Sequence, residues 1–327
     1  MRARLGWHAA EPVTDLVVVG DCNPDVLVLG DDVSPAFGQE EKLVASISLA
    51  VGGSAAITAL AAARLGLQVA LVAAVGDDPA GQFMLAELAR ESVETAAVAV
   101  RAHCPTGMTV ALSRGNDRAI LTATGAMVTL TAQDMPDTLL SRARHLHVSS
   151  YFLLERSLGP GLAALFSAAR AAGTTTSLDT NWDPAGKWGD DQLAEVLAQT
   201  DLLLPNEAEA LRIARAATLQ DAVGALTRTG SKIAVKLGAR GALCGDGARQ
   251  HLATPPPLTP VDTTGAGDCF NAGLLTGLLR GLEFPEALAL GCAVGSASTQ
   301  GVGGTGRCVD LASARDLARQ VTVRPVG

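Results

Sequence analysis

The chain has few aromatic residues and no excess of positive charge. Of its 327 residues only 3% are aromatic, and its net charge at pH 7 is -8. Proteins that bind single-stranded nucleic acid stack bases on aromatic rings, and proteins that bind duplexes need a basic face for the phosphates. The composition therefore argues against a nucleic-acid partner. A small anionic ligand stays compatible with it, because a few main-chain amides and one cation can hold such a ligand.

Long apolar runs, paired cysteines and glycosylation sequons are also missing. No stretch of about 18 uncharged apolar residues occurs, and the N-terminal stretch MRARLGWHAAEPVT lacks the apolar core of a signal peptide. The six cysteines are scattered without a C-x-x-C pair, which predicts reduced thiols and neither a disulfide framework nor a zinc site. We expect a cytoplasmic protein that does not bind a membrane.

The chain contains an alternation of apolar, strand-like runs and Ala- and Leu-rich helical stretches. Hydrophobic residues make up 48% and charged residues 18%, so the chain can bury a large core. DLVVVGD and VALVAAVGDD predict buried strands, and SAAITALAAARLG predicts a helix that ends at a glycine. Apolar strands that alternate with helices are typical of a parallel sheet covered on both faces. We expect one α/β domain, residues 1–327, that binds ligands at the carboxyl ends of its strands.

Two segments interrupt this alternation. Residues 26–52 and 101–125 show a period of two between polar and apolar residues, with turn-forming residues between the runs. This pattern predicts strands, and two inserted segments can pair with each other. We therefore expect a small antiparallel β lid over the ligand site. Because an exposed strand edge can pair with a second copy, we also expect a homodimer formed through the lid.

One stretch near the C-terminus combines flexible residues with a single acid. VDTTGAGDCFNAGLL passes from glycines into an apolar pattern with helical spacing, and Asp268 falls at the start of the predicted helix. Main-chain amides at a helix N-terminus form a hole suited to a phosphate, whereas an acid there can simply cap the helix. The residues alone leave both interpretations open. A P-loop does not explain the stretch, because G-x-x-x-x-G-K-[ST] occurs nowhere in the chain.

Two further stretches place polar residues directly after predicted strands. PNEAE follows the run DLLL, and GDCNPD follows the first predicted strand. Asn206 and Glu209 suit the first turn of a helix, and Asn23 and Asp25 suit a turn around a proline. Each pair therefore has a structural interpretation beside a role in ligand binding.

These stretches resemble the signatures of the ribokinase-like (PfkB) carbohydrate kinases. DTTGAGDCFNAGLL is similar to the C-terminal signature of that family, and GGSAAITALAAARLG lies where its N-terminal signature is found. Five shorter pieces occur in the family's order along almost the whole chain: GDCNPD, VGDDPAG, SLDTNW, LLLPNEAE and VKLGARGAL. The resemblance implies the ribokinase-like fold, in which helices flank a central, mostly parallel sheet and a small β lid is attached.

The resemblance also implies transfer of the γ-phosphoryl group of ATP to a hydroxyl of an unphosphorylated sugar such as ribose or fructose. Asp268 would be the general base that takes the hydroxyl proton. The amides of Gly265, Ala266, Gly267 and Asp268 itself would form the anion hole for the phosphoryl group. We expect the helix dipole to keep the Asp268 carboxyl ionised.

ATP, Mg²⁺ and a monovalent cation such as K⁺ are the small partners that the resemblance implies besides the sugar. Its ATP-binding residues would be Asn206, Glu209, Lys236, Gly238, Thr263, Gly265 and Gly267. Glu209 would hold Mg²⁺ through water, because Mg²⁺ keeps most of its water ligands in such sites. Asp262 and Thr264, with nearby main-chain carbonyls, would hold the monovalent cation.

The acceptor end of the implied site is the part that would bind the sugar. There the sequence differs from the family pattern at two positions. Its acceptor-binding residues would be Asn23, Asp25, Gly52 and Gly53. Asp25 can accept protons from two hydroxyls, and the double glycine lets the backbone approach a sugar closely. Ile57 stands where members often have an asparagine, and Ser54 stands where some members have a lysine.

Other functions are compatible with parts of the pattern. Ile57 could line an apolar pocket for a base, so a nucleoside kinase on the same fold is an alternative. A sensor that binds a sugar or nucleotide without catalysis is a third hypothesis, although a sensor does not need the acid Asp268. The stretch GVGGTG matches a dinucleotide motif, but it follows a predicted helix and not a strand, which argues against an NAD-dependent enzyme.

Overall fold

The computed structural model describes residues 14–114 and 117–326 of the chain. Residues 1–13, in which we predict no signal peptide, lie outside this part, as do residues 115–116 of the predicted lid and residue 327. No helix in the described ranges combines the length and hydrophobicity that crossing a membrane requires.

The secondary structure alternates as the sequence predicts. The strands are β1 (Thr14–Val19), β2 (Asn23–Leu29), β3 (Ser46–Gly52), β4 (Val69–Gly76), β5 (Val98–Arg101), β6 (Met108–Arg114), β7 (Asp117–Ala123), β8 (Ala143–Val148), β9 (Thr175–Leu178), β10 (Leu202–Leu203), β11 (Lys232–Lys236), β12 (Ala242–Gly245), β13 (Gln250–Thr254) and β14 (Thr322–Val326). The α-helices are α1 (Ser54–Arg64), α2 (Pro79–Arg90), α3 (Asp137–Leu140), α4 (Tyr151–Leu154), α5 (Gly159–Ala171), α6 (Asp191–Ala198), α7 (Glu207–Ile213), α8 (Leu219–Thr227), α9 (Ala266–Leu279), α10 (Phe284–Ser298) and α11 (Leu311–Ala318). Short 3-10 helices span Gly125–Thr129, Ala132–Asp134 and Gly238–Arg240.

Ten strands form one large sheet in the order β14-β13-β12-β11-β10-β9-β8-β1-β4-β5. From β11 through to β5 each neighbouring pair is parallel. Alternate residues of a strand point to opposite faces of the sheet, and helices cover both faces. Leu16 and Val18 of β1 are buried in a core with α1, α9 and α10, whereas Val17 and Val19 are buried in a second core with α5, α6 and α8. The predicted α/β class with a mostly parallel sheet is confirmed.

The C-terminal part of the sheet is antiparallel, which the alternation in the sequence did not predict. β11, β12, β13 and β14 pair antiparallel to one another in succession. Residues 237–241, which join β11 to β12, are too few to hold the crossover helix that a parallel pair needs. The chain therefore turns back on itself after β11.

A second sheet of four strands has the order β3-β2-β6-β7 and contains both segments of the predicted lid. The pairs β2–β3 and β6–β7 are antiparallel, as expected for the lid. β2 and β6 pair parallel, however, so the lid is mixed at its centre. The connection between them is long enough for a parallel pair, because β3, α1, β4, α2 and β5 lie between them in the chain.

Helices α9 and α10 pack at very short range. A Cβ atom added at Gly273 of α9 would lie 2.9 Å from the carbonyl oxygen of Leu290 and 2.9 Å from Cβ of Val294. Glycine in a helix costs about 1 kcal/mol relative to alanine. Gly273 therefore does not stabilise α9 itself; it allows α10 to approach closely. The contact fixes the position of α9 and thereby of Asp268 in its first turn.

Candidate active site

Polar and charged side chains meet at the carboxyl ends of the parallel strands. Asp179 directly follows β9, Asn206 lies after β10, and Lys236 is the last residue of β11. The N-terminus of α9, with Asp268, lies beside them, because the Lys236 side chain is 3.5 Å from where a Cβ of Gly267 would be. This is the edge at which ligands bind in parallel sheets.

The turn before α9 is tied to the glycine-rich loop that follows α10. Gly265 has a φ of 69°, which favours glycine, and a Cβ atom there would lie 2.6 Å from Cα of Gly304. Asp262 Oδ1 accepts hydrogen bonds from the amide of Thr264 at 2.9 Å and from its hydroxyl at 2.7 Å. Asp262 Oδ2 accepts from the amide of Gly303 at 2.8 Å. The two side chains predicted for a monovalent cation are therefore in direct contact.

The first turn of α9 supplies the amides of the predicted anion hole. The helix begins at Ala266, and the first amides of a helix have no acceptor within it. The Ala266 amide donates to the carbonyl of Thr263 at 3.3 Å, so this member of the predicted hole is already engaged. The amides of Gly267 and Asp268 follow it on the same turn.

Asp268 is buried, with 8% of its surface exposed. Burial raises the pKa of this carboxyl well above its usual range, and the charges of Asp179 and Asp21 raise it further. The charge of Lys236 and the nearby Ser54 hydroxyl lower this pKa. We expected the helix dipole to keep the carboxyl ionised, but burial and the neighbouring acids act against it because the site is shielded from water. A general base is most effective when its pKa lies near the working pH.

Asp179 and Lys236 form a buried ion pair. Lys236 Nζ lies 2.5 Å from Asp179 Oδ2, and Asn271 Nδ2 donates to the same oxygen at 2.6 Å. Burial lowers the pKa of the Lys236 amine, but the charges of Asp179 and Glu209 raise it on balance. The amine is therefore a fixed positive charge beside the first turn of α9.

Asn206 and Glu209 form a capping box at the start of α7. Asn206 Oδ1 accepts from the Glu209 amide at 2.9 Å, and the Glu209 carboxyl accepts from the main-chain and side-chain amides of Asn206 at 2.8 and 2.6 Å. The structural interpretation of this pair is therefore realised. Burial and the charge of Asp179 raise the pKa of Glu209 to about 7. The amine of Lys236 thus interacts electrostatically with three buried carboxyls, those of Asp179, Glu209 and Asp268.

The four predicted acceptor-binding residues come together where β2 and β3 meet. Asn23 pairs with Gly52 across the strands, and Asn23 Nδ2 donates to Asp25 Oδ1 at 3.3 Å. A Cβ atom at Gly52 would lie 1.9 Å from Asp25 Oδ1, so only glycine leaves room for this carboxyl. Gly53 has a φ of 81° and begins α1 as its N-cap.

Asp21 occupies the N-terminus of α1. Its two carboxyl oxygens accept from the amides of Ser54 and Ala55, each at 3.0 Å. Burial raises the pKa of Asp21, whereas these hydrogen bonds lower it. The dipole of α1 is thus matched by a carboxyl group of the protein itself.

The remaining predicted residues lie at the rim or outside the site. Gly238 and Thr263 are exposed, and a Cβ atom at Gly238 would meet no atom within 4 Å. Ile57 is buried, and its Cδ1 lies 2.4 Å from where a Cβ of Gly304 would be, so it packs on the glycine-rich loop. His145 and His147 of β8 bond hydroxyl groups of neighbouring residues.

Several residues near Asp268 have no role in the sequence analysis. Asp179 and Asn181 belong to the stretch SLDTNW directly after a predicted strand, and this position could have identified them. Asn271 lies one turn beyond Asp268 on α9, and its contact with Asp179 spans 92 residues of chain. No local pattern in the sequence indicates such a contact.

A separate cavity of about 450 Å³ lies at the far end of α9, lined by residues that include Lys232, Asp246 and Leu278. None of the predicted site residues lines it. Charge and hydrogen bonding therefore single out the carboxyl edge of the sheet, and not this cavity, as the candidate active site.

Comparison with known proteins gives matches over most of the chain. The sequence profile of the pfkB family carbohydrate kinases matches residues 13–310. Fructoselysine 6-kinase of Shigella flexneri is 29% identical over 252 residues, which cover 76% of this chain and 89% of that protein.

Solved structures match over nearly the whole length. A ribokinase of Arabidopsis thaliana complexed with ribose and ATP has a TM-score of 0.79 at 24% identity, and the match covers 94% of this chain and 99% of that chain. An Escherichia coli protein in complex with ATP and Mg²⁺ has a TM-score of 0.83 at 22% identity, with the same coverage of 94% and 99%. At these identities the likeness shows a shared fold.

Proposed function

Because the chain belongs to the pfkB family of carbohydrate kinases, we propose that it transfers the γ-phosphoryl group of ATP to a hydroxyl of an unphosphorylated sugar such as ribose or fructose. The position of Asp268 supports this most. Its carboxyl is buried in the first turn of α9, near the Lys236 amine and near Ser54, which directly follows the double glycine of the acceptor end.

In the proposed reaction Asp268 is the general base. The sugar hydroxyl oxygen attacks the γ-phosphorus of ATP, the bond from that phosphorus to the β,γ-bridging oxygen breaks, and ADP leaves. The hydroxyl proton passes to the Asp268 carboxylate. A positioned base contributes about 10²–10⁴-fold to such a step. The raised pKa of Asp268 favours proton uptake as the hydroxyl becomes acidic in the transition state.

The phosphate end of the proposed site consists of main-chain amides and one amine. The amides of the first turn of α9 point along the helix dipole and suit the charge that develops on the transferring group. Lys236, beside Gly267, adds a positive charge at the same place. Positioning and electrostatic stabilisation of this kind account for most of phosphoryl-transfer catalysis.

The carboxyl groups of the site fit an Mg²⁺ ion that is held through water molecules. The carboxyls of Asp179, Glu209 and Asp268 outnumber the amine of Lys236, so a divalent cation would relieve their mutual repulsion. Among the described residues no group of three His, Cys, Asp or Glu side chains could ligate a metal directly, which suits a contact from Glu209 through water. When bound, Mg²⁺ would neutralise charge on the ATP phosphates. We propose likewise that Asp262 and Thr264 contribute to a site for a monovalent cation such as K⁺.

The acceptor end suits a sugar without a phosphate. The Asp25 carboxyl can accept protons from two hydroxyls, and the space left by Gly52 keeps it beside the backbone. A phosphorylated sugar would bring negative charge close to Asp25 and Asp21. The absence of a lysine at Ser54 agrees with this preference.

Replacing Asp268 by asparagine tests the proposal. We expect kcat to fall by about 10²–10⁴-fold, since the amide cannot take a proton, while ATP binding is retained. ADP release with a panel of sugars and nucleosides gives the activity and the acceptor in one experiment. Asp316→Asn, on exposed α11, is the matched control and should keep full turnover.

Each result of this panel decides between the hypotheses. Turnover that survives in Asp268→Asn would exclude the proposed base. Phosphorylation of nucleosides in preference to sugars would favour the nucleoside kinase. Thermal stabilisation by sugar and ATP without any transfer would indicate a sensor.

A further inference from the structure

The side chain of Lys236 crosses the carboxyl edge of the sheet to reach Asp179. β10 separates β11, which ends at Lys236, from β9, which Asp179 follows. Two strand spacings amount to about 10 Å, so the lysine side chain has to extend across the end of β10 to form this ion pair. On its way it runs along the first turn of α9. Its Cδ, Cε and Nζ atoms lie 3.5, 3.8 and 3.6 Å from where a Cβ of Gly267 would be.

The Asp179 carboxyl is held at both of its oxygens. Oδ1 accepts from the main-chain amide of Asn181 at 3.3 Å. Oδ2 accepts from Lys236 Nζ at 2.5 Å and from Asn271 Nδ2 at 2.6 Å. Asp179 is 1% exposed and Asn271 is fully buried, and hydrogen bonds to an ionised group are about twice as strong as neutral ones. The carboxyl therefore has a fixed position, and this position determines where the lysine amine lies.

Asn271 attaches this carboxyl to α9. A carboxylate can only accept, so the nitrogen of the Asn271 amide must face Asp179 and its oxygen must face away. Among the described residues none donates to that oxygen, so the bond to Asp179 is the one hydrogen bond of this side chain. Asn271 follows Asp268 by three residues, and helical side chains at this spacing share a face. The helix that carries the proposed base thus also holds the partner of the lysine.

An acid at this place weakens the attraction between the protein and ATP. The Asp179 carboxyl lies beside the amine that faces the phosphates, and its negative charge repels theirs. Without Asp179 the amine would keep its charge, but a lysine side chain that is not held samples many rotamers. An amine that is fixed in advance needs no reorganisation when charge develops in the transition state. The ion pair therefore favours a fixed amine over the strongest attraction for ATP.

We propose that Asp179 and Asn271 are positioning residues that hold the Lys236 amine against the first turn of α9, where it contacts the γ-phosphoryl group during transfer. This role rests on the proposed function, in which that turn binds the phosphates of ATP. Asp179 and Asn271 touch no reactant and act only through the lysine. Their removal should therefore lower kcat, only while Lys236 is present, and should not weaken ATP binding.

Asp179→Asn removes the charge and keeps the shape of the side chain. We expect kcat to fall by about 10–100-fold, because the amine loses the charged partner that holds it. The KM for ATP should stay the same or fall, because one negative charge beside the phosphates is gone. A raised KM would mean that the Asp179 carboxyl contributes to ATP binding, which would overturn the proposed role.

Variants in pairs test whether these residues act through one another. Lys236→Met should lower kcat by about 10²-fold or more, and in its background Asp179→Asn should lower kcat no further. A loss that came from folding alone would persist in that background. Asn271→Leu should lower kcat by about tenfold in the wild type and no further in Asp179→Asn. This second pair decides the question even where Lys236→Met, which leaves a buried acid unpaired, does not fold.

A second measurement needs no acceptor. In ³¹P NMR of ATP bound with Mg²⁺, the γ-phosphorus resonance should shift between wild type and Lys236→Met. Asp179→Asn should shift it in the same direction, because the amine is no longer held at that group.

Asp201→Asn is the matched control. Asp201 Oδ2 accepts from the main-chain amide of Thr176 at 2.9 Å and from its hydroxyl at 3.2 Å. The substitution thus removes a carboxyl that holds the same strand, β9, at the end away from Lys236. This variant should keep the kcat and the γ-phosphorus resonance of the wild type.

The outcomes separate this role from the proposed function. If the γ resonance depends on Lys236 and Asp179 but no acceptor is phosphorylated, the proposed function fails and the positioning role is supported. If a sugar is phosphorylated but Asp179→Asn keeps the wild-type kcat, or lowers it as much in Lys236→Met, the positioning role is overturned. A higher Mg²⁺ requirement of Asp179→Asn that persists in Lys236→Met would also overturn it, because the carboxyl would then act on the metal. Absence of ATP binding in the wild type would exclude both.

Discussion

The histidines of β8 show how single residues can be buried without loss of hydrogen bonding. The Thr175 hydroxyl donates to a main-chain carbonyl of β8, so it accepts from His145 Nδ1 at 2.7 Å. His145 Nε2 must then accept from Ser177, and Ser177 accepts from His147 Nδ1, both at 2.7 Å. His147 Nε2 accepts from Ser149 at 2.9 Å. Every donor meets an acceptor only when both rings are neutral and carry their proton on Nδ1.

The neutral histidines make stability depend on pH. Burial lowers the pKa of His145 to about 3 and that of His147 to about 4. In the unfolded chain a histidine takes up a proton below about pH 6.5, whereas the folded protein does not, so stability is complete above that pH and is lost as the pH falls below it. Each histidine should therefore cost about 2 kcal/mol of unfolding free energy between pH 7.5 and pH 5.

His147→Gln tests this, since glutamine does not titrate. In urea unfolding at pH 7.5 and pH 5, the pH-dependent loss of stability should be about 2 kcal/mol smaller in the variant than in wild type. Glu209, whose pKa is raised, acts in the opposite direction between about pH 4.5 and pH 7, and it cancels because both proteins contain it. Equal pH dependence in the two proteins would show that His147 is protonated in the fold.

At the scale of elements, the packing of α9 on α10 makes one helical glycine indispensable. A Cβ at Gly273 would lie 2.9 Å from a main-chain oxygen of α10, whereas a Cβ at Gly224 in α8 would meet no atom within 4 Å. Gly273→Ala should therefore destabilise the protein by about 1–3 kcal/mol, while Gly224→Ala should stabilise it by about 0.5–1 kcal/mol. Urea unfolding of both variants measures the difference. Stabilisation by both would contradict the close approach of the two helices.

The elements with strong periodicity could be predicted from the sequence, and those determined by distant contacts could not. The helix α1 and the strands β1 and β4 have long apolar runs bounded by glycine, which explains why their predicted and observed bounds agree closely. The sequence does not predict α8, which has only three buried residues, or the antiparallel return of β12–β14. That return depends on the length of one short connection and not on residue pattern.

Local pattern identifies some residues of the candidate site, and distant contacts determine the others. Asp268 and Glu209 lie in short motifs, so local pattern identifies them, although it leaves their roles untested. The residues near Asp268 come from other parts of the chain: Ser54 and Asn181 are 127 residues apart in sequence yet form one hydrogen bond. Only the folded sheet brings such residues together, which is why residue pattern alone assigns them no role.

At the scale of the whole molecule, one face of the lid is apolar and exposed. Ile47 and Leu49 of β3 and Leu121 of β7 are 65%, 49% and 63% exposed. Their strand partners are Val28, Val26 and Val110, and residues paired across strands point to the same side, so these side chains form one surface, the outer lid face.

This face supports the prediction of a homodimer through the lid. Apolar side chains at adjacent positions favour association because burying them removes them from water. We expect wild type to sediment as a dimer and the double variant Ile47→Glu, Leu121→Glu to sediment as a monomer. Ile120→Glu is the matched control, since Ile120 is 54% exposed on the opposite face of the same strand. A monomeric wild type at working concentration would exclude the interface.

The capping box of α7 has a consequence for the heat of nucleotide binding. Near neutral pH the Glu209 carboxyl is only partly ionised, because its pKa is about 7. On the proposed assignment, Glu209 would hold Mg²⁺ as a carboxylate, so it would have to release this proton to the buffer when ATP and Mg²⁺ bind. Calorimetric titrations in phosphate and in Tris, whose ionisation enthalpies differ, should then give different apparent binding enthalpies. In Glu209→Gln the difference between the two buffers should be smaller.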